Sequence, residues 1–275
     1  MFAPSGPAFL LYIRKGESGL LFDTHVHLNA RHFMEDREEV IARAFEQGVT
    51  RMVVVGFDDE TIPLALEIAE AHEGIYASVG WHPVDAIDYR AHHYDYLKEL
   101  SQHPKVVALG EMGLDYHWDT SPKDVQEKVF RTQIRLAKEV NLPIIIHNRE
   151  ATEDVLRILQ EEKAGEVGGI MHCYSGTVEQ IQPFLDMNFY LSLAGPVTFK
   201  NAPEAKEVAK HIPLDRLLIE TDAPYLAPHP YRGKRNEPAY VTKVAETIAE
   251  LRGMTYEEIC RVTTENALTI YRIND

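Results

Sequence analysis

The sequence of 275 residues is poor in cysteine and has no long apolar segment. Its two cysteines, Cys173 and Cys260, cannot build the disulfide framework of a small secreted protein, and they fit a reducing compartment. No apolar run approaches the roughly 18 residues that a membrane-spanning helix needs. We therefore expect a cytoplasmic protein without a membrane partner.

Basic residues are also scarce, since 28 lysines and arginines stand against 43 acidic residues and give a formal net charge of −15. Proteins that coat duplex nucleic acid are usually basic, so the charge argues against extensive non-specific wrapping of a duplex. It does not exclude a small polyanionic substrate, because bound cations can invert the local sign of a site. Nothing in the composition indicates an obligate protein partner.

Short β-branched segments alternate with longer amphipathic ones, and this alternation is typical of βαβ units with a parallel sheet. Helical spacing of apolar residues is clearest over Lys123–Val140. The pattern predicts eight strands, at Leu21–Asp23, Arg51–Val55, Tyr76–Gly80, Val106–Gly110, Pro143–His147, Gly169–His172, Tyr190–Ala194 and Leu217–Thr221.

Eight parallel strands with intervening helices predict a single-domain α/β protein, a (β/α)₈ TIM barrel over residues 21–275. An open doubly wound sheet is the alternative, and the lack of a glycine-rich phosphate loop after the first strand disfavours it. Residues 1–20 are interpreted as an N-terminal extension, and we assign them no role.

The strongest local motif is Asp23-Thr-His25-Val-His27, at the end of the first predicted strand. Alternate residues of a strand face the same way, so both imidazoles can point to one position. Two converging imidazoles suit a metal such as zinc. The alternative is a pair of packed, hydrogen-bonded histidines, and the short motif alone does not decide between the two.

Ligand-type residues also stand at the carboxyl ends of four other predicted strands: Glu111, His147, His172 and Asp222. Barrel enzymes build their active sites at this face, with residues from several strands. The sequence therefore predicts a metal site there, and six residues are the candidate ligands: His25, His27, Glu111, His147, His172 and Asp222.

Four histidines and two carboxylates exceed the four ligands of one tetrahedral zinc, so the set predicts two divalent metal ions that share a carboxylate. Glu111, central in strand order, is the better candidate for the bridge. The ligand types admit Zn²⁺, Mn²⁺ or Ni²⁺, and also Mg²⁺, which prefers oxygen ligands. Such a centre can activate water toward a phosphoryl group or polarise a carbonyl, so the ligands alone do not select the substrate.

Six stretches together resemble the TatD family of metal-dependent deoxyribonucleases, within the amidohydrolase-like barrels. They span nearly the whole chain after the extension. They are Phe22-Asp-Thr-His-Val-His27, Gly80-Trp-His-Pro83, Gly110-Glu-Met-Gly-Leu-Asp115, Ile146-His-Asn-Arg149, Met171-His-Cys-Tyr-Ser-Gly176 and Glu220-Thr-Asp-Ala-Pro-Tyr225.

The resemblance implies a two-metal barrel that removes nucleotides from DNA ends, in the 3′ to 5′ direction for some members. One ion would be held by His25, His27, Glu111 and Asp222, and the other by Glu111, His147 and His172. Asp222 would also be the general base for the attacking water, so Glu111 and Asp222 are the expected catalytic residues.

Contacts to a DNA end or a small phosphodiester are predicted less sharply. His82 follows the third strand and could donate to a phosphate, or it could be held by Trp81 and Pro83. Arg149 could pair with a phosphate oxygen or with an acid at a helix start.

Three basic residues, Arg232, Lys234 and Arg235, form a cluster after the eighth strand that could contact the backbone of DNA or be simply solvated. The aromatic loop residues 116–118 could stack on an unpaired base or pack against the protein. Asp115 could support a ligand or cap a turn.

Two other functions remain open at the level of sequence. An amide or lactone hydrolase of the same barrel class would use the same metal centre on a neutral substrate. A non-catalytic binding scaffold would be expected to have lost ligand positions, and all six are present here.

Overall fold

A computed structural model describes residues 20–274. Apart from Leu20, the predicted N-terminal extension lies outside the described residues. The sheet has eight parallel strands in the order of the chain. They are β1 (Leu21–Val26), β2 (Val49–Gly56), β3 (Ile75–Val79), β4 (Val106–Asp115), β5 (Ile144–Arg149), β6 (Gly169–Met171), β7 (Phe189–Leu193) and β8 (Leu217–Ile219).

Helices connect successive strands, and two follow the last one. They are α1 (Arg37–Glu46), α2 (Thr61–Ala71), α3 (Ala91–Leu100), α4 (Lys123–Val140), α5 (Thr152–Glu161), α6 (Ile181–Asp186), α7 (Pro203–His211), α8 (Val241–Arg252) and α9 (Tyr256–Tyr271). Helix α4 has the predicted bounds. Within residues 20–274, no helix combines the length and the apolar character that crossing a bilayer requires.

The sheet curls into a nearly closed barrel, which confirms the predicted TIM-barrel class over the open sheet. Seven consecutive strand pairs run from β1 to β8. The first strand then meets the segment after the last one, because Asp222 N donates to His25 O at 3.0 Å and His27 N donates to Ala223 O at 2.8 Å. This seam lies where three of the candidate ligands are.

Apolar side chains fill two layers. One cluster takes residues from the strands, such as Phe22, Val53, Ile145 and Leu218, and packs them against Ala267, Ile270 and Tyr271 of α9. The larger cluster joins the alternate strand residues to the helices around the barrel. The two-residue alternation of β-strands thus separates the interior from the helical shell and leaves the carboxyl ends of the strands for polar residues.

Strand β4 differs from its prediction, because it continues past Gly110 to Asp115. Glu111 therefore lies within the strand, where the predicted boundary would place it in a loop. The pairing with β5 shifts register between Leu109 and Met112, which is the position of Glu111. Such a bulge turns one side chain out of the regular alternation. Gly110 adopts φ +132°, a conformation that side-chain-bearing residues rarely take.

Candidate metal centre

The seam between β1 and the end of β8 brings together His25, His27 and Asp222. The two Nε2 atoms of His25 and His27 are 3.2 Å apart, and Asp222 Oδ1 is 3.3 Å from His27 Nε2. The β1–β2 register also shifts between Asp23 and Val26, so a bulge lies at the first histidine. The two predicted imidazoles therefore converge on one position.

Glu111 lies at the middle of the cluster and is almost completely buried. Its Oε2 faces the seam, 3.4 Å from His25 Nε2 and 3.9 Å from His27 Nε2. Its Oε1 faces the other side, 2.8 Å from His147 Nδ1 and 3.3 Å from His172 Nε2. One carboxylate thus has each oxygen turned to a different pair of imidazoles.

His82 is a further member of the second side, since its Nε2 lies 3.5 Å from Glu111 Oε1. We assigned this residue only a substrate contact from the sequence. In the structure His82, Glu111 and His147 offer donor atoms within 4.8 Å of one another, as do His25, His27 and Asp222. The stretch Gly80-Trp-His-Pro83 could have identified His82 as a candidate ligand. His82 follows the carboxyl end of β3, at the same face of the barrel as the other candidate ligands.

Two buried carboxylates hold the outer nitrogens of the second side. Asp115 Oδ2 is 2.8 Å from His147 Nε2, and Glu220 Oε1 is 2.8 Å from His172 Nδ1. Such outer partners fix the orientation of a metal-binding imidazole. Asp115 was predicted as a support or a turn cap, and it serves as both. Glu220 had no predicted role, although it stands two residues before Asp222 at the end of β8.

The electrostatics of the cluster favour ionised carboxylates. Burial raises the pKa of Glu111, but His172, His82 and His25 outweigh that effect and hold its pKa well below the ordinary range. Burial likewise raises the pKa of Asp222, and His27 and His172 reverse the shift and lower it. Burial lowers the pKa of His25. Burial has the same tendency at His172, but Glu220 and Glu111 outweigh it and raise the pKa of His172 to about 10. His172 therefore has to give up a proton before its imidazole can bind a cation. Anionic carboxylates and neutral imidazoles are the protonation states in which these groups bind metal ions.

The imidazole nitrogens and carboxylate oxygens of the cluster are ligand atoms that suit divalent cations. His25 Nδ1 and His27 Nδ1 are buried and lack a hydrogen-bond partner within residues 20–274, while both Nε2 atoms face each other and two carboxylates. Imidazole nitrogens at such a short separation, next to carboxylate oxygens, are an arrangement that a shared cation stabilises. The described residues therefore provide donors for metal on both sides of Glu111.

The basic residues predicted to bind substrate differ in their exposure to solvent and in their partners. Arg149 is exposed, and its guanidinium lies over the Trp118 ring at 5.7 Å. Arg232 and Lys234 are exposed in the loop after β8, where the Arg232 guanidinium lies 4.1 Å from the Phe199 ring centre. These positions leave Arg149, Arg232 and Lys234 accessible to a ligand.

Arg235 differs from its two basic neighbours. Its guanidinium donates to both carboxylate oxygens of Asp36, at 2.8 and 2.6 Å, and to His32 O. The side chain thus ties the loop after β8 to the loop after β1. In the structure, Arg235 therefore holds these two loops together. Its contact with a phosphate remains a prediction from the sequence.

Comparison with known proteins identifies the family of the chain. The family described as TatD related DNase matches residues 22–272. A Bacillus subtilis (strain 168) protein described as an uncharacterized metal-dependent hydrolase, YabD, is 65% identical over 255 residues, 93% of this chain and 100% of that protein. The 3′-5′ ssDNA/RNA exonuclease TatD of Salmonella typhimurium is 35% identical over 258 residues, 92% of this chain and 99% of that protein.

The crystal structure of YJJV, a TatD homologue from Escherichia coli K12, aligns with a TM-score of 0.87 at 28% identity and covers 92% of this chain and 98% of that one. The fold, the donor cluster and these relatives define a metal-dependent hydrolase on a TIM barrel. The chain belongs to the TatD family.

Proposed function

We propose that the protein is a metal-dependent deoxyribonuclease that removes nucleotides from single-stranded DNA ends in the 3′ to 5′ direction. Two divalent ions, Mg²⁺, Mn²⁺, Zn²⁺ or Ni²⁺, are its cofactors. The relative from Salmonella typhimurium carries the name of such an exonuclease, and that name supports the substrate class.

The position of Glu111 is the observation that carries the proposal. A buried carboxylate with Oε2 toward His25 and Oε1 toward His147 is suited to bridge two cations. When bound, two such cations neutralise a phosphate group and lower the pKa of a shared water. We assign His25, His27 and Asp222 to one ion, and His147 and His172, with His82 in reach, to the other.

Asp222 is proposed as the general base. Its side chain is 14% exposed against 4% for Glu111, so Asp222 reaches the solvent side of the cluster while Glu111 does not. A carboxylate at this edge can accept the proton of an attacking water. Arg149, Arg232 and Lys234 are proposed to pair with backbone phosphates, and their exposure to solvent supports this role.

The test is release of mononucleotides from single-stranded DNA labelled at the 3′ or the 5′ end. The protein is chelated and then supplied with Mg²⁺, Mn²⁺, Zn²⁺ or Ni²⁺. We expect metal-dependent, stepwise loss from the 3′ end and none from Glu111→Ala. Retention of wild-type turnover and metal content by Glu111→Ala would show that the bridge assignment is wrong.

A matched control is Glu265→Ala, which removes an exposed carboxylate on α9 that pairs with Arg261. It should keep full activity, so that a loss in Glu111→Ala reports on the centre. Absence of nucleotide release with every metal, together with hydrolysis of an amide or lactone, would replace the nuclease proposal by the carbonyl hydrolase.

A further inference from the structure

The large hydrophobic side chains that are exposed within residues 20–274 are concentrated on one face. They lie in the loops after β1, β3, β4 and β8, which is the face where the metal centre opens. They are Met34, Ile87, Trp118, Tyr225 and Leu226. Exposed apolar groups gathered around a polar cleft mark a binding surface more often than scattered ones do.

Trp118 has a fixed backbone and a side chain that is partly open to solvent. Asp115 Oδ1 accepts hydrogen bonds from His117 N and Trp118 N, each at 3.0 Å, and its other oxygen holds His147. The residue is nevertheless 54% exposed. One carboxylate thus sets the position of the indole relative to the second side of the centre.

Tyr225 is held in the same way on the other side. Its N donates to Asp222 O at 2.9 Å, and Asn236 Nδ2 donates to its carbonyl oxygen at 2.7 Å. Its ring centre lies 6.0 Å from that of His27, and the residue is 51% exposed. Its backbone is therefore tied to a proposed ligand, while much of the ring is open to solvent.

The two rings belong to opposite sides of the mouth. Trp118 follows β4 and Tyr225 follows β8, and these strands are four apart in a sheet of eight. A flexible chain crossing the mouth would meet one ring on each side of the centre. By contrast, Tyr116 packs into the protein, with its hydroxyl on Asp154 and Lys123 over its ring.

We infer that Trp118 and Tyr225 are stacking platforms for unpaired nucleobases on the two sides of the scissile phosphodiester, an inference that rests on the proposed function. An exposed aromatic face accepts any base, and base–aromatic stacking is a sequence-tolerant contact of single strands. The Arg149 guanidinium lies over the Trp118 ring, 5.7 Å from the ring centre, where its charge can meet the phosphate next to a stacked base. Bases inside a duplex do not present these faces, so the platforms select frayed or single-stranded ends.

The chain provides its own probe for this contact. Only two tryptophans are present, and Trp81 is 2% exposed, so the tryptophan that a ligand can reach is Trp118. The metal-loaded protein is titrated with a single-stranded oligonucleotide whose phosphorothioate linkages resist hydrolysis. Stacking should quench the emission, and Trp118→Phe should remove the quenching while binding measured by anisotropy persists.

A matched pair of substrates separates stacking from other effects. One is a single-stranded oligonucleotide, and the other has the same backbone with abasic sugars in its last positions. For the wild type, loss of the bases should lower kcat/KM on the order of ten-fold. For Trp118→Ala or Tyr225→Ala, the normal substrate should fall toward that level and the abasic one should hardly change. Trp118→Phe and Tyr225→Phe keep an aromatic face, so they should restore much of the kcat/KM that the alanine variants lose on the normal substrate.

The outcomes distinguish this inference from the proposed function. Equal losses on both substrates, or binding without quenching, would overturn the platforms while nucleotide release by the wild type still supported a nuclease. Quenching by the normal oligonucleotide but not by the abasic one, without release from either, would support the platforms and reject the nuclease. Equal quenching by a blunt duplex would overturn the selection of unpaired bases.

Discussion

Glu220 Oε1 lies 2.8 Å from His172 Nδ1 and also accepts a hydrogen bond from Cys173 N at 2.9 Å. The carboxylate is completely buried, and it connects the end of β8 to the end of β6. It turns the Nε2 atom of His172 toward Glu111. Glu220 is thus a positioning residue for one of the proposed ligands.

Glu220→Gln should weaken metal binding on the His147 side of the centre about 10- to 100-fold, the range that loss of an outer carboxylate partner gives. The amide can still contact the imidazole but has lost the charge. Calorimetric titration of the chelated protein with Mn²⁺ or Zn²⁺ would measure the change. Glu265→Gln is the control, and unchanged affinity in Glu220→Gln would show that this contact does not orient a ligand.

The placement of the centre was predictable because the carboxyl ends of barrel strands meet at one face. From that rule alone, the sequence predicts that the ligand-type residues at the ends of β1, β5, β6 and β8 converge. The prediction needs no knowledge of which side chains are in contact. The sequence predicted Glu111 as the shared carboxylate, but it did not predict that Glu111 lies within β4. A register shift depends on the neighbouring strand, and the spacing along one strand does not contain it.

Contacts between distant loops were beyond prediction for the same reason. Arg235 was placed in a basic cluster, and its pairing with Asp36 crosses 199 positions of the sequence. Glu220 was part of a recognised motif, yet its partner His172 lies 48 positions away. Residue type and local spacing limit the interactions that a side chain can make. The fold of the barrel determines which distant residue lies close enough to be its partner.

Thr221→Val should reduce the free energy of unfolding by about 1–3 kcal/mol, because it removes the two buried hydrogen bonds of the hydroxyl, to Asp23 Oδ2 and from Ala223 N, and leaves these partners unsatisfied. The Thr221 hydroxyl donates to Asp23 Oδ2 at 2.5 Å, and Thr221 N donates to Asp23 Oδ1 at 2.9 Å. These bonds join β1 to the segment after β8. Valine keeps the shape of the side chain. It also keeps the hydrogen bond from the backbone N of residue 221 to Asp23, but it has no hydroxyl group.

Urea unfolding followed by circular dichroism measures this loss. Thr221→Ser keeps the hydroxyl and should be closer to the wild type than Thr221→Val. Equal stability of the valine variant and the wild type would mean that the hydroxyl bond does not stabilise the seam.

Metal binding should raise the thermal midpoint of the chelated protein as the concentration of Mn²⁺ or Zn²⁺ increases. A ligand that binds only the folded state stabilises it by about 2.7 kcal/mol at 100 times its Kd. The rise should be small or absent in Glu111→Ala, because both proposed ions lose their shared carboxylate. Differential scanning fluorimetry gives the midpoints, and an equal rise in the variant would place the bound metal elsewhere.

Glu127→Gln should destabilise the protein at pH 7 and lose that effect in acid. Arg157 and then Arg131 lower the pKa of Glu127 through hydrogen bonds at 3.1 and 2.9 Å. The bond from Arg157 joins α5 to α4, and the bond from Arg131 lies within α4. A carboxylate whose pKa is lower in the folded state contributes stability above its ordinary pKa, here 4.5, and loses it as the pH falls through the lowered value. The gap between variant and wild type should therefore begin to narrow as the pH falls past 4.5 and close once the pH is below the lowered pKa.

Urea midpoints of the two proteins at several pH values test this prediction, with Glu67→Gln, an exposed glutamate on α2, as the control. Stability of both proteins falls in acid as other carboxylates are protonated, so the difference between them is the informative quantity. A difference that stayed constant from pH 7 to pH 3 would assign the effect of Glu127 to packing. A difference that vanished in acid would assign the effect to the negative charge of Glu127, which pairs with Arg157 and Arg131.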